Sequence, residues 1–295
     1  MIGDFSRRHL AALLASQVVE VVGIFVDQPR LHRQQPAIEQ LKPPETQDTI
    51  SLSMVQQSKT VMELGWENDI PVLALRDAKA KTVFPIVASL KPDIASVACF
   101  SQKIPPNLLN LPQHGFLNVH PSLLPAFRGP EPLFWVFRHN HEGAGVTVHF
   151  MDEGWDSGDI VAQTAVSFSD GISYNEANML CAEVGSQLLI KTVRQLQQGT
   201  LTPRPQGENG RYFPNPAHHD FIISTRWSAQ HAFNFIHGTA NWERPYRVEG
   251  LDEEIWIKTA VSYQPDAKIT QPLIEQNDSL SIQFNPGILN VIRHR

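Results

Sequence analysis

Apolar positions follow two different periods along the first 200 residues. Continuous apolar runs, often β-branched, are typical of strands buried on both faces. Such strands are predicted at 18–26, 71–75, 94–100, 115–119, 145–151 and 160–168. Stripes of apolar residues three or four positions apart predict helices near 5–14, before Gly65, at 80–90 and at 131–140. The alternation predicts an α/β fold with a doubly wound, mostly parallel sheet.

The clearest helix is predicted over 173–198, where Ser173 and Glu176 form a capping box and Gly199 ends the apolar stripe. A segment rich in Pro and Gly follows. Beyond it, short alternating runs such as 254–258 and 280–284 predict a small β-rich domain. We therefore expect three parts. They are a catalytic domain at 1–199, a linker at 200–216 and a β-rich carboxyl-terminal domain at 217–295.

Composition narrows the class of protein. No apolar run approaches the roughly 18 residues that a membrane span needs, and no signal-peptide pattern opens the chain. Cys99 and Cys181 lie in apolar surroundings and indicate reduced core residues of a cytosolic protein. The formal charge of −6 argues against broad nucleic-acid binding. Residues 28–49, with four prolines, predict a long surface loop.

A possible reactive centre lies at the end of the 115–119 run. Asn118 and His120 are two apart, so on a strand both side chains point to one face. Pro121 ends the strand and leaves the pair at its carboxyl tip, where open α/β sheets bind ligands. Asp156 follows in a Gly-flanked loop. An amide, an imidazole and a carboxylate suit acyl transfer to nitrogen, although each alone also suits an ordinary strand end or turn.

Two ordered motifs carry a resemblance to a known family. Residues 118–129, NVHPSLLPAFRG, and 145–158, GVTVHFMDEGWDSG, resemble the 10-formyltetrahydrofolate-dependent formyltransferases. Fainter similarity to the carboxyl-terminal domain of methionyl-tRNA formyltransferases lies at 227–230 and 255–260. The resemblance implies a formyltransferase-type α/β domain followed by an OB-like β-rich domain. It also implies 10-formyltetrahydrofolate as donor and no metal.

The resemblance assigns roles residue by residue. Asn118, His120 and Asp156 would be the catalytic groups: the amide would stabilise the oxyanion, and the other two would handle the amine proton. The folate pocket would be formed by Ser122, Leu123, Leu124, Pro125, Asp152, Gly154, Trp155 and Gly158. Trp155 stands where the family usually carries an aliphatic residue, so a changed fit to folate is expected.

The beginning departs from the family. Its members open with an apolar strand that ends in a glycine, before the helix that here contains Phe5 and Leu10. The first strand is therefore expected to be missing, which would leave unpaired backbone groups in the sheet. The hypothesis is that the natural protein is longer, and an intact native mass near 33.1 kDa would contradict it.

The sequence does not identify the amine that accepts the formyl group, and several candidates remain. Methionyl-tRNA leads because the domain order matches. However, residues 216–295 carry seven Lys/Arg against nine Asp/Glu, a poor footprint for RNA. An amino-sugar nucleotide is the main alternative. A hydrolase of formyltetrahydrofolate would need a preceding regulatory domain, and a truncated, non-catalytic binding relative is the alternative from another class.

Overall fold

The computed structural model describes residues 2–32, 34–44, 59–207, 210–276 and 279–294. The α/β part contains, in chain order, α1 Ile2–Ala15, β1 Ile24–Asp27, β2 Ile38–Leu41, α2 Val61–Glu67, β3 Val72–Leu75, α3 Val83–Ser89, β4 Ala95–Val97, α4 Pro106–Leu109, β5 Phe116–His120, α5 Pro132–Arg138, β6 Gly145–Phe150, β7 Ile160–Ala165 and α6 Tyr174–Gln197. The β-rich part contains β8 Ile222–Ser224, α7 Ala229–Gly238, β9 Tyr246–Glu249, β10 Ile255–Gln264, β11 Leu273–Gln276, β12 Ser279–Gln283 and β13 Ile288–Arg293.

The predicted α/β class is confirmed, but the sheet is mixed rather than mostly parallel. Pairings β1–β3 and β4–β5 are parallel, whereas β2–β3, β5–β6 and β6–β7 are antiparallel. The antiparallel pair β5–β6 is decisive for the site, because it places residues of two strands directly opposite each other. No helix among the described residues is long and apolar enough to cross a membrane.

The sheet of the α/β part is divided. Strands β1, β3 and β2 form one sheet and β4 to β7 form another; within the described ranges β1 pairs only with β3, and β4 only with β5. The carboxylate of Asp27, at the end of β1, joins the two by accepting bonds from the Ser101 N–H and from Gln102 Nε2. Ser96, on the edge strand β4, and Cys99, two residues after that strand, are both exposed. The prediction of Cys99 as a core residue is therefore wrong, whereas Cys181 is buried.

The predicted loop at 28–49 contains a strand. Strand β2 holds only two apolar side chains, Ile38 and Leu41, and it pairs antiparallel with β3. Its two middle side chains are exposed polar groups, so the pattern lacked the apolar run that marks a buried strand. Residues 45–49 of the predicted loop lie outside the described residues.

Helix α6 supports the strands that carry the candidate site. The Ser173 hydroxyl accepts from the Glu176 N–H while the Glu176 carboxylate accepts from the Ser173 N–H, which confirms the predicted capping box. Gly185, in the middle of α6, has no room for a Cβ, because Val119 of β5, Val146 of β6 and His9 of α1 all lie against it. The glycine lets α1, α6 and the sheet approach closely.

The β-rich domain is confirmed, and it shares a core with the α/β part. Strands β11, β12, β13, β10, β9 and β8 form one sheet in that order, and α7 packs on it. Phe134 of α5 contacts Phe221 and Phe235 of this domain, with ring centroids 5.2 and 5.7 Å away. Leu133, the preceding residue, lies in the other core, with Val119 and Val146. Helix α5 is thus buried between the two parts.

Candidate active site

Strand β5 carries the first two site residues. Leu117 and Val119 point into the core under α6, whereas Asn118 and His120 point to the opposite face at the carboxyl end of the strand. The spacing argument from the sequence therefore holds in the structure. In the β5–β6 register, Asn118 lies directly opposite His149.

Asp156 joins this pair from the loop after β6. Its Oδ1 accepts from Asn118 Nδ2 at 3.2 Å and lies 3.7 Å from His120 Nδ1. Its Oδ2 accepts from the Gly129 N–H at 2.8 Å. The backbone of Asp156 is left-handed, with φ of 51°, which is unfavourable for a residue with a Cβ. The loop is therefore held in this shape by its surroundings.

The tautomer of His120 follows from its partners. Its Nε2 lies 2.9 Å from the Phe127 carbonyl oxygen, which can only accept, so Nε2 carries the proton and Nδ1 is the free base facing Asp156. Burial lowers the pKa of His120 by more than the nearby Asp156 carboxylate raises it. The ring is therefore neutral near pH 7 and can take a proton at Nδ1.

His149 is a fourth member of the cluster that the sequence did not predict. Its Nδ1 lies 2.7 Å from the Phe150 carbonyl, which fixes the proton on Nδ1 and leaves Nε2 as an acceptor. Asn118 Nδ2 lies 3.2 Å from that Nε2. Both amide hydrogens of Asn118 are thus engaged, one by the Asp156 carboxylate and one by the His149 imidazole.

The electrostatics keep Asp156 ionised. Burial by itself would raise the pKa of Asp156, but attraction to His120 and His149 in their protonated forms, together with the hydrogen bond from the Gly129 N–H, outweighs that cost and holds the pKa well below its usual range. A carboxylate that stays charged and buried attracts a proton onto the adjacent His120 Nδ1. Asp156 is therefore suited to stabilise an imidazolium rather than to accept a proton itself.

The predicted folate segment 122–125 lies beside this cluster, and much of it is tied into the protein. Ser122 and Leu124 are buried. Thr147 fixes both residues: its Oγ1 donates to the Ser122 carbonyl at 2.6 Å and accepts from the Leu124 N–H at 3.1 Å. These two bonds fix the backbone of the segment, while the side chains of Ser122 and Leu124 are buried. Leu123 and Pro125 are half-buried.

The second predicted folate segment forms a turn. The Asp152 carboxylate accepts from the Gly154 N–H at 2.9 Å and from Ser157 Oγ at 2.8 Å, so its charge organises the turn itself. Gly158 is buried and has no room for a Cβ beside the backbone. Trp155 is 46% exposed. Among the predicted folate residues it therefore presents a large free surface.

No group of three or more His, Cys, Asp or Glu side chains in the described part of the chain is placed to hold a metal ion. The candidate site is instead a cluster of hydrogen-bonding side chains. One amide, two imidazoles and one ionised carboxylate meet at the carboxyl end of β5.

Known proteins resemble this chain over most of its length. A methionyl-tRNA formyltransferase of Clostridioides difficile is 32% identical over 232 residues, which cover 78% of this chain and 75% of the relative. A methionyl-tRNA formyltransferase of Thermodesulfovibrio yellowstonii is 30% identical over 236 residues, 80% of this chain and 76% of the relative.

Solved structures agree on the fold. An N-formyltransferase of Helicobacter canadensis, crystallised with folinic acid and dTDP-3-aminofucose, superposes with a TM-score of 0.55 at 16% identity, covering 80% of this chain and 82% of that chain. Residues 3–193 match the family described as Formyl transferase. Since this match covers more than half of the chain and includes the whole Asn118, His120 and Asp156 cluster, the chain belongs to the formyl transferase family.

Proposed function

We propose that this protein transfers the formyl group of 10-formyltetrahydrofolate to the amino group of methionyl-tRNA. The observation that carries the chemistry is the free Nδ1 of a neutral His120 facing the ionised Asp156. The relatives that share about 30% identity over three quarters of their length are methionyl-tRNA formyltransferases, which supports the acceptor. Asn118, His120 and Asp156 are the proposed catalytic residues.

The proposed reaction begins with the amine nitrogen attacking the formyl carbon. As the new C–N bond forms, the amine proton passes to His120 Nδ1. Asp156 stabilises the resulting imidazolium across the short gap between Oδ1 and Nδ1. The C–N10 bond of the donor then breaks, and the same proton returns from His120 to N10. Tetrahydrofolate and the formamide leave, so no net proton is gained or lost at the site.

Asn118 stabilises the oxyanion of the tetrahedral intermediate. One amide hydrogen stays on Asp156, and the other turns from His149 to the oxyanion. The exchange is favourable because hydrogen bonds to a charged acceptor are about twice as strong as those to a neutral one. His149 thus holds the amide in place between turnovers. Such a donor contributes roughly 3–4 kcal/mol to the transition state.

The folate pocket is proposed at the two segments beside this cluster, residues 122–125 and 152–158. Trp155, large and half-exposed, would meet the donor from the second segment. The Ser122 and Leu124 side chains are buried, so they would fix the pocket's shape, while Leu123 and Pro125 face the donor. Gly154 and Gly158 permit the turn that presents Trp155.

An amino-sugar nucleotide is the second candidate acceptor. It is supported by the similar fold of the Helicobacter canadensis N-formyltransferase, whose structure contains an amino-sugar nucleotide. The surplus of acidic over basic residues in 216–295 also favours a small acceptor over RNA.

The deciding experiment measures formyl transfer from 10-formyltetrahydrofolate to initiator methionyl-tRNA and, in parallel, to a dTDP-amino sugar. Asn118→Ala is the inactive reference, and Asn110→Ala, an exposed asparagine at the end of α4, is the matched control. We expect transfer to methionyl-tRNA by wild type and by Asn110→Ala only. Transfer to the sugar alone would reject the tRNA acceptor, and transfer to neither would reject the proposed function.

A further inference from the structure

Gln206 lies in the segment between the two parts of the chain, yet its side chain is bound to the loop of Asp156. Its Nε2 donates to the carbonyl oxygens of Asp156, at 2.9 Å, and of Gly158, at 2.7 Å. Its Oε1 accepts from Arg128 Nε at 3.0 Å and from Arg128 Nη2 at 2.7 Å. Both donors and both acceptor positions of this one amide are used.

These bonds involve both segments that orient the Asp156 carboxylate. The first is the backbone of Asp156 itself, which has a positive φ of 51° and whose carbonyl oxygen binds Gln206 Nε2. The second is Gly129, whose N–H binds Oδ2 and which directly follows Arg128. Gln206 therefore ties together two segments that are 28 positions apart in the chain and that both orient the carboxylate.

Arg204 and Phe213, on either side of Gln206 in the chain, also bind the α/β part through their backbones. Two residues before it, Arg204 exchanges N–H···O bonds of 2.9 Å with Ile160, at the start of β7. Farther along, the Phe213 N–H donates to the Arg128 carbonyl at 2.8 Å. The segment is thus attached to the α/β part at both ends, and Gln206 is held at the Asp156 loop between these attachments.

From this geometry we propose that Gln206 is a positioning residue for the reaction: it keeps the Asp156 carboxylate aligned with His120. The inference rests on the proposed function. Without the Gln206 amide, two carbonyl oxygens lose their donor and Arg128 loses its acceptor. The loop then relaxes, the carboxylate moves away from His120, and the imidazolium that forms during transfer is less stable.

The test compares Gln206→Met, which keeps the length without hydrogen bonds, with Gln206→Glu, which can accept from Arg128 but cannot donate to the carbonyls. Gln198→Met, at the exposed end of α6, is the matched control. We expect both Gln206 variants to lose more than tenfold in kcat, with KM for the acceptor within threefold and Tm within a few degrees of wild type. The control keeps wild-type kinetics.

A pH profile separates positioning from general damage. The Asp156 carboxylate raises the pKa of His120, so a displaced carboxylate moves the acid limb of kcat to lower pH in both Gln206 variants. Unchanged kcat, or a loss of kcat with the acid limb unmoved, overturns the proposal. NMR titration of His120 gives the same readout without turnover, so the proposal is tested even if neither acceptor is formylated: an unchanged His120 pKa in Gln206→Met then overturns it.

Discussion

His9 in α1 offers a quantitative test of how burial controls protonation in this protein. Its Nδ1 lies 2.6 Å from the Phe5 carbonyl and therefore carries the proton. Its Nε2 is buried without a hydrogen-bond partner, against Gly185 of α6. Protonation would place an unpaired charge in an apolar contact. Burial accordingly lowers the pKa of His9 from 6.5 to about 4, even though the bond to Phe5 raises it.

The lowered pKa makes unfolding easier in acid. Between pH 6.5 and 4, the unfolded chain binds a proton that folded His9 excludes, so stability falls as the pH falls. The slope approaches about 1.4 kcal/mol per pH unit inside this window and vanishes below it. Relative to pH 8, the contribution of His9 alone at pH 5 is about 2 kcal/mol of lost stability.

The assay is urea unfolding of wild type, His9→Leu and Gln198→Leu at pH 8 and pH 5. Leucine has a similar volume and cannot be protonated, so His9→Leu should lose about 2 kcal/mol less than wild type between these pH values. Gln198, exposed at the end of α6, has no titratable group, so its replacement by leucine should leave the pH dependence at the wild-type value. An equal pH dependence in wild type and His9→Leu would refute the reasoning.

The remaining predictions concern the site and the shared core. Asn118→Ala should lower kcat at least 100-fold, as expected for the loss of a donor to the oxyanion, while Asn110→Ala stays within twofold in the same transfer assay. The acid limb of wild-type kcat should lie below pH 6.5, because burial lowers the pKa of His120, the proposed base; a limb above that value in a pH–rate profile contradicts this proposed role. Phe134→Ala should cost about 3–5 kcal/mol of unfolding free energy in urea titrations, since the ring is fully buried between the two parts.

Local patterns predicted the elements that bear the site. The apolar run at 115–119 and Pro121 located β5 and its end, and the two-residue spacing placed Asn118 and His120 on one face. His149 was missed because its role depends on the antiparallel pairing of β5 with β6, which sets it opposite Asn118. The sequence predicted a mostly parallel sheet and so offered no such register.

Gln206 shows a second limit of sequence reasoning. It stands in a segment whose Pro and Gly content indicates only a linker, and its partners Asp156 and Gly158 are about 50 positions away. Edge strands show a third limit. Apolar periodicity could not distinguish the exposed Cys99, which follows β4, from a core residue, and it could not distinguish the short strand β2 from a loop. Whether a strand is central or peripheral is decided by its neighbours in space.

The burial of α5 between the two parts has a consequence for which exchanges of domain this protein can tolerate. The helix starts three residues after Gly129, whose N–H holds the Asp156 carboxylate, and its rings fill the core of the β-rich domain. The β-rich domain therefore cannot simply be exchanged for another, because its removal would expose the buried rings of α5, a helix that begins close to Gly129. The rings of α5 and the apolar residues around them are thus a condition for keeping the two parts of the chain together.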